Sequence, residues 1–269
     1  MIPAKKFFYS MIAGVCVLAV ISGCKKKADA PATVTQPTAP AQTVVPSAPA
    51  QLQLQTSKPI AKDVDALPRI ANPVTDGQKK VNATLDQLDK GARSTMRQSQ
   101  DYERSVTVTM AGPKYLSLAM GESWDGGAYP ASMSSAIVFD LSTGQAVDWT
   151  KLVTGKGVKS YSDSGADGKL GKPLALIYPA LMAMYMEDPD NGGECKDAYE
   201  DPQSFMIYPD AKTGTLIVSA FDLPHVVQAC MNDMTLTLDQ AKKLGFNQGF
   251  LDAVAAAHAQ PGSDKLGTQ

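Results

Sequence analysis

The sequence predicts an α+β fold for one domain, built from antiparallel sheets, two hairpins and flanking helices. Three patterns support this prediction: an early helical stripe, pairs of alternating strands joined by glycine-closed turns, and a helix near the C-terminus. Helices and strands are mixed without a regular βαβ order, which favours α+β over a parallel α/β sheet. Of the 269 residues, the first 60 do not look globular, so about 200 remain for one core.

The first elements of the domain are a helix and two strands. Apolar side chains recur at helical spacing over residues 77–98, at Val81, Leu85, Leu88, Ala92 and Met96. Two runs that alternate apolar and polar residues follow, Ser105–Met110 and Tyr115–Met120. This alternation indicates strands.

Two hairpins and two further helices complete the prediction. Residues 135–139 and 145–149 flank a turn closed by Gly144, and residues 205–208 and 215–221 flank a turn closed by Gly214. Between the hairpins, residues 174–186 have a helical face, in which Pro179 either kinks or starts the helix. The last helix spans about 249–259.

The first 24 residues carry a targeting signal. Lys5 and Lys6 precede an apolar run from Phe7 to Ile21, which is too short for a transmembrane helix but suits a signal peptide. The run ends Ile21-Ser22-Gly23-Cys24, which resembles the lipobox of bacterial lipoproteins. This resemblance implies a signal peptide over 1–23 and a Cys24 that carries palmitate-type acyl chains. An ordinary secretory signal with an incidental cysteine is the alternative.

The predicted lipid anchor indicates that the protein is located in the cell envelope. Several acyl chains on one residue give stable membrane attachment. Lysines rather than an aspartate follow Cys24, so we expect the periplasmic side of the outer membrane rather than the inner membrane. Residues 24–60 are rich in Pro and Ala and predict a disordered tether, either a plain spacer or a peptidoglycan-binding tract. The domain then covers 61–260, and 261–269 form a disordered tail.

Charge is concentrated in one part of the domain. The whole chain has a net charge of −2, which excludes the basic footprint of a nucleic-acid-binding protein. Residues 61–269 hold 19 basic and 26 acidic side chains, and residues 187–201, the acidic segment, hold seven acids and one lysine. Its spacing does not match a calcium-binding EF-hand, so no metal is predicted. The candidate binding residues in it are Glu187, Asp188, Asp190 and Glu194.

The remaining cysteines predict a disulfide. Cys16 lies in the signal peptide and Cys24 is the lipid acceptor, which leaves Cys195 and Cys230 in an oxidising compartment. A bond between them would close a loop of about 36 residues and fix the acidic segment.

No catalytic centre is predicted. The chain has two histidines, His225 and His258, and no G-x-S-x-G motif. A pair of carboxylates that meet only in space remains open. We therefore expect no cofactor, and a domain that is not an enzyme.

One run has a more specific pattern. It contains Tyr115–Leu118, then Trp124-Asp125-Gly126-Gly127-Ala128-Tyr129-Pro130, then Ile137–Gln145 and Asp148–Val153. This run resembles the extracytoplasmic domain of lysozyme-sensing anti-sigma factors and the non-catalytic part of some peptidoglycan deacetylases, over roughly residues 75–240. That family often has a histidine where this chain has Tyr129, and it lacks the cysteine-bearing acidic segment.

The resemblance implies a binding module for a lysozyme-like enzyme or for peptidoglycan. Aromatic residues on a turn expose contact area at small entropic cost, so Trp124 and Tyr129 are candidate anchors beside the acidic residues. Their alternative role is core packing at a strand end. An envelope hydrolase acting on cell-wall material and a purely structural envelope lipoprotein are the alternative functions.

Overall fold

The computed structural model describes residues 52–125, 130–161, 175–199, 202–260 and 262. The predicted signal peptide, Cys24 and Tyr129 lie outside these residues. The described chain has helices and antiparallel sheets in irregular order, which confirms the α+β class. Residues 47–269 form one compact unit. No helix within the described ranges is long and apolar enough to cross a membrane.

Strands and helices follow each other in mixed order along the chain. The strands are β1 (Leu54–Gln55), β2 (Arg69–Ile70), β3 (Gln100–Ala111), β4 (Tyr115–Asp125), β5 (Pro130–Asp140), β6 (Gln145–Ala146), β7 (Lys159–Tyr161), β8 (Ala175–Ile177), β9 (Ser204–Asp210), β10 (Thr215–Phe221) and β11 (Asp233–Leu236). The helices are α1 (Asp76–Gln98), α2 (Trp149–Leu152), α3 (Pro179–Glu187), α4 (Pro189–Gly192), α5 (Leu238–Lys243) and α6 (Gln248–His258). Short 3₁₀ helices span Lys196–Ala198 and His225–Cys230.

The strands form three antiparallel sheets. Sheet I has the order β3-β4-β5-β6, and sheet II has the order β11-β10-β9-β8-β7. Strands β1 and β2 make a small third sheet. Strand β9 of sheet II packs against β3, β4 and β5 of sheet I, so the two large sheets meet face to face along β9.

Helix α1 covers one face of sheet I. Thr75 and Gln78 form a capping box at its start, which satisfies backbone amides that have no partner within the helix. Its buried side chains include Val81 and Leu85, which join a core cluster with Leu116, Phe139 and other residues of sheet I. The stripe predicted over 77–98 is therefore the contact face of this helix.

A larger core lies between sheet II and the later helices. Trp149 packs edge-on against Phe246 and Phe250, and all three rings are buried. The same cluster contains Tyr185 and Phe205. This core fixes sheet II and the segments that leave its strand ends.

A buried ion network ties the start of the domain to sheet I and α1. Asp89 on α1 accepts hydrogen bonds from Arg104 of β3 and from Arg69 of β2. Asp89 also accepts a hydrogen bond from the backbone amide of Leu67 over 3.1 Å. Arg104 donates a hydrogen bond to the backbone carbonyl of Asp65. The carboxylate and guanidinium groups thus have opposite charges and hydrogen bonds nearby, as burial of charge requires.

The structure differs from several of the predicted segments. Residues 175–177 form strand β8, and the helix predicted over 174–186 starts only at Pro179, whose missing amide suits the first helical position. Trp149, predicted as the end of a strand, begins α2 because Asp148 caps it. The described fold begins at Leu52, within the predicted tether, because β1 pairs with β2 and Leu52 and Leu54 are buried.

Candidate functional site

The acidic segment lies on the surface after α3. Glu187 ends α3, and Glu187, Asp190 and Glu194 are exposed. The Asp188 carboxylate caps α4 by accepting the Asp190 amide over 3.0 Å. The four sequence-predicted acidic residues are thus brought together on one short, turning stretch of chain. Glu200 and Asp201 lie outside the described residues.

A disulfide and three hydrogen bonds hold this segment in place. Cys195 and Cys230 are bonded, with their Cα atoms 5.4 Å apart, as the sequence predicts. The Tyr199 hydroxyl donates to the Cys230 carbonyl over 2.9 Å. The Asn232 amide donates to the Asp190 carbonyl over 3.1 Å, and the Tyr185 hydroxyl donates to the Asn232 carbonyl over 2.5 Å. Residues 230–232 therefore form the fixed support of the acidic segment.

The carboxylates of the segment are not neutralised within the described parts of the chain. None of Glu187, Asp188, Asp190 and Glu194 makes an ion pair with another described residue. No group of three or more His, Cys, Asp or Glu side chains that could hold a metal ion is found there either. The segment is a negative surface that is fixed to the fold.

An exposed apolar residue lies on the supporting side of the disulfide. Val226 is 89% exposed and belongs to the 3₁₀ helix His225–Cys230, which ends at the disulfide. A 3₁₀ helix rises about 2 Å per residue, so Val226 lies about 8 Å from Cys230 along the helix axis. Its sequence neighbours gave no signal, because a single valine before a cysteine is compatible with burial.

The aromatic candidates have different outcomes. Trp124 is the last residue but one of β4 and is half-buried against a small cluster that contains Val64, Ala92 and Tyr102. It therefore has packing partners at the strand end, while Tyr129 lies outside the described residues.

His258 bonds through its Nδ1 to the Ala211 carbonyl over 2.8 Å, which fixes α6 to the β9–β10 turn.

A polar cleft lies between the two large sheets. It has a volume of about 410 Å³ and is lined by residues from β3, β4, β5, β9, β10 and β11. Ser105 pairs with Gly121, and Gly121 with Ser134, so these small residues lie side by side across sheet I. Opposite them are Tyr208 and Ser219 of sheet II.

Asp233 is the one carboxylate among the described residues that line the cleft. It lies opposite Ser219 in the β10–β11 register, and the buried Ser219 hydroxyl donates to its Oδ1. Burial, the negative charges of Asp233 and Asp210, and a hydrogen bond with Asp233 raise the pKa of Tyr208 to about 12. Tyr208 is therefore a neutral hydrogen-bonding group rather than a base at physiological pH.

Sequence reasoning did not find the cleft. Strand β11 was not predicted, so nothing in the sequence indicated that Ser219 would pair with Asp233. One signal was present: Ser219 is a polar residue between Val218 and Ala220 in a strand, and the structure buries all three. A buried hydroxyl requires a partner, and Asp233 provides it.

Comparisons with known proteins add little. No protein-family profile and no curated protein sequence matches the chain. One similar solved structure is a member of the DUF3298 family from Bacteroides fragilis, with a TM-score of 0.33 and 13% sequence identity, over 66% of this chain and 68% of that chain. We therefore infer the function from the residues of this chain.

Proposed function

We propose that the protein is a lipid-anchored envelope protein whose domain is a non-catalytic binding module for a basic protein. The anchor is Cys24, and a lysozyme-like enzyme is the leading partner because of the sequence resemblance. One observation supports the module most directly: Glu187, Asp190 and Glu194 are exposed, none of the four candidate carboxylates makes an ion pair with a described residue, and the Cys195–Cys230 disulfide holds this stretch of chain. An acidic tail that moved freely would need neither the disulfide nor the hydrogen bonds that hold this segment.

The acidic segment acts on the rate of association. A surface of one sign attracts a partner of the opposite sign and raises the on-rate by about tenfold or more at low salt. This attraction weakens as the Debye length falls from about 10 Å at 0.1 M salt to about 3 Å at 1 M. Because exposed ion pairs contribute little free energy, apolar contact must supply most of the affinity. Val226, an exposed apolar residue of the 3₁₀ helix that ends at the disulfide, is the candidate for such contact.

The test compares association rates of a basic lysozyme with two versions of residues 25–269. In the first, the four candidate carboxylates are made neutral, and Asp188→Asn retains a capping side chain. The first set of changes is Glu187→Gln, Asp188→Asn, Asp190→Asn and Glu194→Gln. The matched control removes the same charge from other elements, by Asp76→Asn, Asp101→Asn, Asp239→Asn and Asp252→Asn.

We expect the first set to lower the association rate about tenfold at low salt and to flatten its salt dependence, while the control retains most of both. Lack of binding by the parent protein, or equal salt slopes for the two sets, would contradict the proposal. Peptidoglycan is tested in parallel with the same proteins. Turnover of muropeptides would favour the hydrolase alternative, and the absence of any partner would favour a structural lipoprotein.

A further inference from the structure

The polar cleft between the sheets differs from the acidic segment in its chemistry. Six of its described lining residues carry a hydroxyl group, beside three methionines, and this described lining includes one carboxylate and no Lys, Arg or His side chain. A cleft of about 410 Å³ falls within the size range of small-molecule sites. It is also open to solvent at Asp233, which is an exposed residue.

Several hydroxyls in the cleft have no hydrogen-bond partner among the residues that the structure describes. The side chains of Ser105, Thr107 and Ser134 make no hydrogen bond to another residue that the structure describes, whereas the nearby Thr109 hydroxyl donates to Ser117 over 2.7 Å. A free hydroxyl both donates and accepts. Sheet I therefore presents a row of two-way hydrogen-bonding groups to the cleft.

The opposite wall fixes one acceptor. Asp233 accepts a hydrogen bond from the Ser219 hydroxyl, which orients its carboxylate, and its charge helps to raise the pKa of the nearby Tyr208. Beside it, the Asn232 amide is held by its bond to the Asp190 carbonyl. A carboxylate with lone pairs to spare is a strong acceptor for ligand hydroxyls, because hydrogen bonds to charged groups are stronger than neutral ones.

This chemistry excludes several ligand classes. An anion would meet Asp233 and no positive side chain. A fatty chain would leave the free hydroxyls buried without partners, which costs free energy. A cation is held best by several carboxylates, and the described lining of the cleft has one, Asp233. A neutral ligand with many hydroxyls matches the wall, because its groups also donate and accept.

We propose that the inter-sheet cleft is a binding site for a short neutral saccharide of one or two rings. Asp233 accepts hydrogen bonds from sugar hydroxyls, while Ser105, Thr107 and Ser134 exchange hydrogen bonds with the opposite edge of the ring. The site is independent of the basic protein partner proposed above, because it uses none of the exposed carboxylates of the acidic segment.

The test uses ligand-detected NMR and titration of residues 25–269 with a panel of defined probes. The neutral probes are glucose, which is the neutral counterpart of glucuronic acid, the disaccharide of N-acetylglucosamine, cellobiose and maltose. The charged probes are glucuronic acid and putrescine. We expect at least one neutral saccharide to bind, and glucuronic acid to bind at least tenfold more weakly than its neutral counterpart.

Two variants and one control assign binding to the cleft. Asp233→Asn should raise the saccharide Kd about tenfold, and Thr107→Val, which replaces a free hydroxyl with a methyl group of similar size, should raise it about fivefold. Asp239→Asn on α5 removes the same charge outside the cleft and should leave the Kd unchanged. Thr107→Val should melt at the parent temperature, which separates binding from folding.

Three results would overturn this proposal. They are a panel in which no saccharide binds, a saccharide Kd that is equal in the parent and in both cleft variants, and tighter binding of putrescine than of any saccharide. None of these results bears on the association with a basic protein, so the two proposals fail separately.

Discussion

Arg104 and Asp89 form an ion pair that is almost wholly buried, with side chains 2% and 7% exposed. The same carboxylate binds Arg69, so one residue of α1 joins β2, β3 and the segment that leads into the domain. The network ties residues 65–69 to the fold, and the pairing of β1 with β2 adds the stretch from Leu54.

Removal of the Asp89 charge should destabilise the domain strongly. Asp89→Ala leaves two guanidinium groups near a buried site without their carboxylate, and breaking a buried pair costs about 3–5 kcal/mol. Asp86→Ala is the matched control, because Asp86 meets Arg69 at an exposed position, where an ion pair contributes about 0–1 kcal/mol. Chemical denaturation measures both. Equal losses for the two variants would mean that the network is not buried in solution.

Loss of the disulfide should loosen the acidic segment. The double change Cys195→Ala and Cys230→Ala removes a bond that spans 35 residues in sequence. The chain-entropy model gives a loss of about 3–4 kcal/mol in the free energy of unfolding. Hydrogen exchange should rise most in residues 187–199. In the parent protein, thiol titration after unfolding without reductant should find neither Cys195 nor Cys230 free, and two free thiols there would disprove the bond.

The free energy of unfolding should fall at alkaline pH, in part because Tyr208 ionises. Its pKa is raised to about 12 in the folded state, whereas an unfolded tyrosine titrates near about 10. A raised pKa means that the contribution is complete below about pH 10 and is lost as pH rises towards about 12. The half-buried position limits the loss to about 1 kcal/mol at about pH 11. Tyr208→Phe should therefore lose less stability than the parent between about pH 9 and about pH 11, and identical pH profiles would contradict the shift.

Cys24→Ala should block lipid attachment. The thiol of Cys24 is the expected acyl acceptor, so the variant should carry no metabolically labelled fatty acid and should keep its signal peptide. Cys16→Ala is the control, because this cysteine lies within the predicted signal peptide and its loss should leave labelling unchanged. Labelled Cys24→Ala protein would remove the anchor from the proposed function.

The sequence by itself determined the elements whose pattern is local. The helical stripe from Val81 to Met96 became α1, and the turns closed by Gly144 and Gly214 became tight turns with positive φ. The Cys195–Cys230 bond could also be predicted, because only two cysteines remained after those assigned to the signal peptide and the anchor. Glu187, Asp190 and Glu194 are exposed, because a fold does not bury clustered charges without partners.

Only the tertiary structure decided which distant residues meet. Asp89, Arg69 and Arg104 come from three elements, and no local period marks them as one network. The same holds for Ser219 and Asp233, whose contact depends on the pairing of β10 with an unpredicted strand. Short strands such as β8 and β11 have too few residues to show a period, and their pairing is set by neighbours far along the chain. The acidic surface could therefore be predicted from the sequence, whereas the polar cleft could be found only in the folded chain.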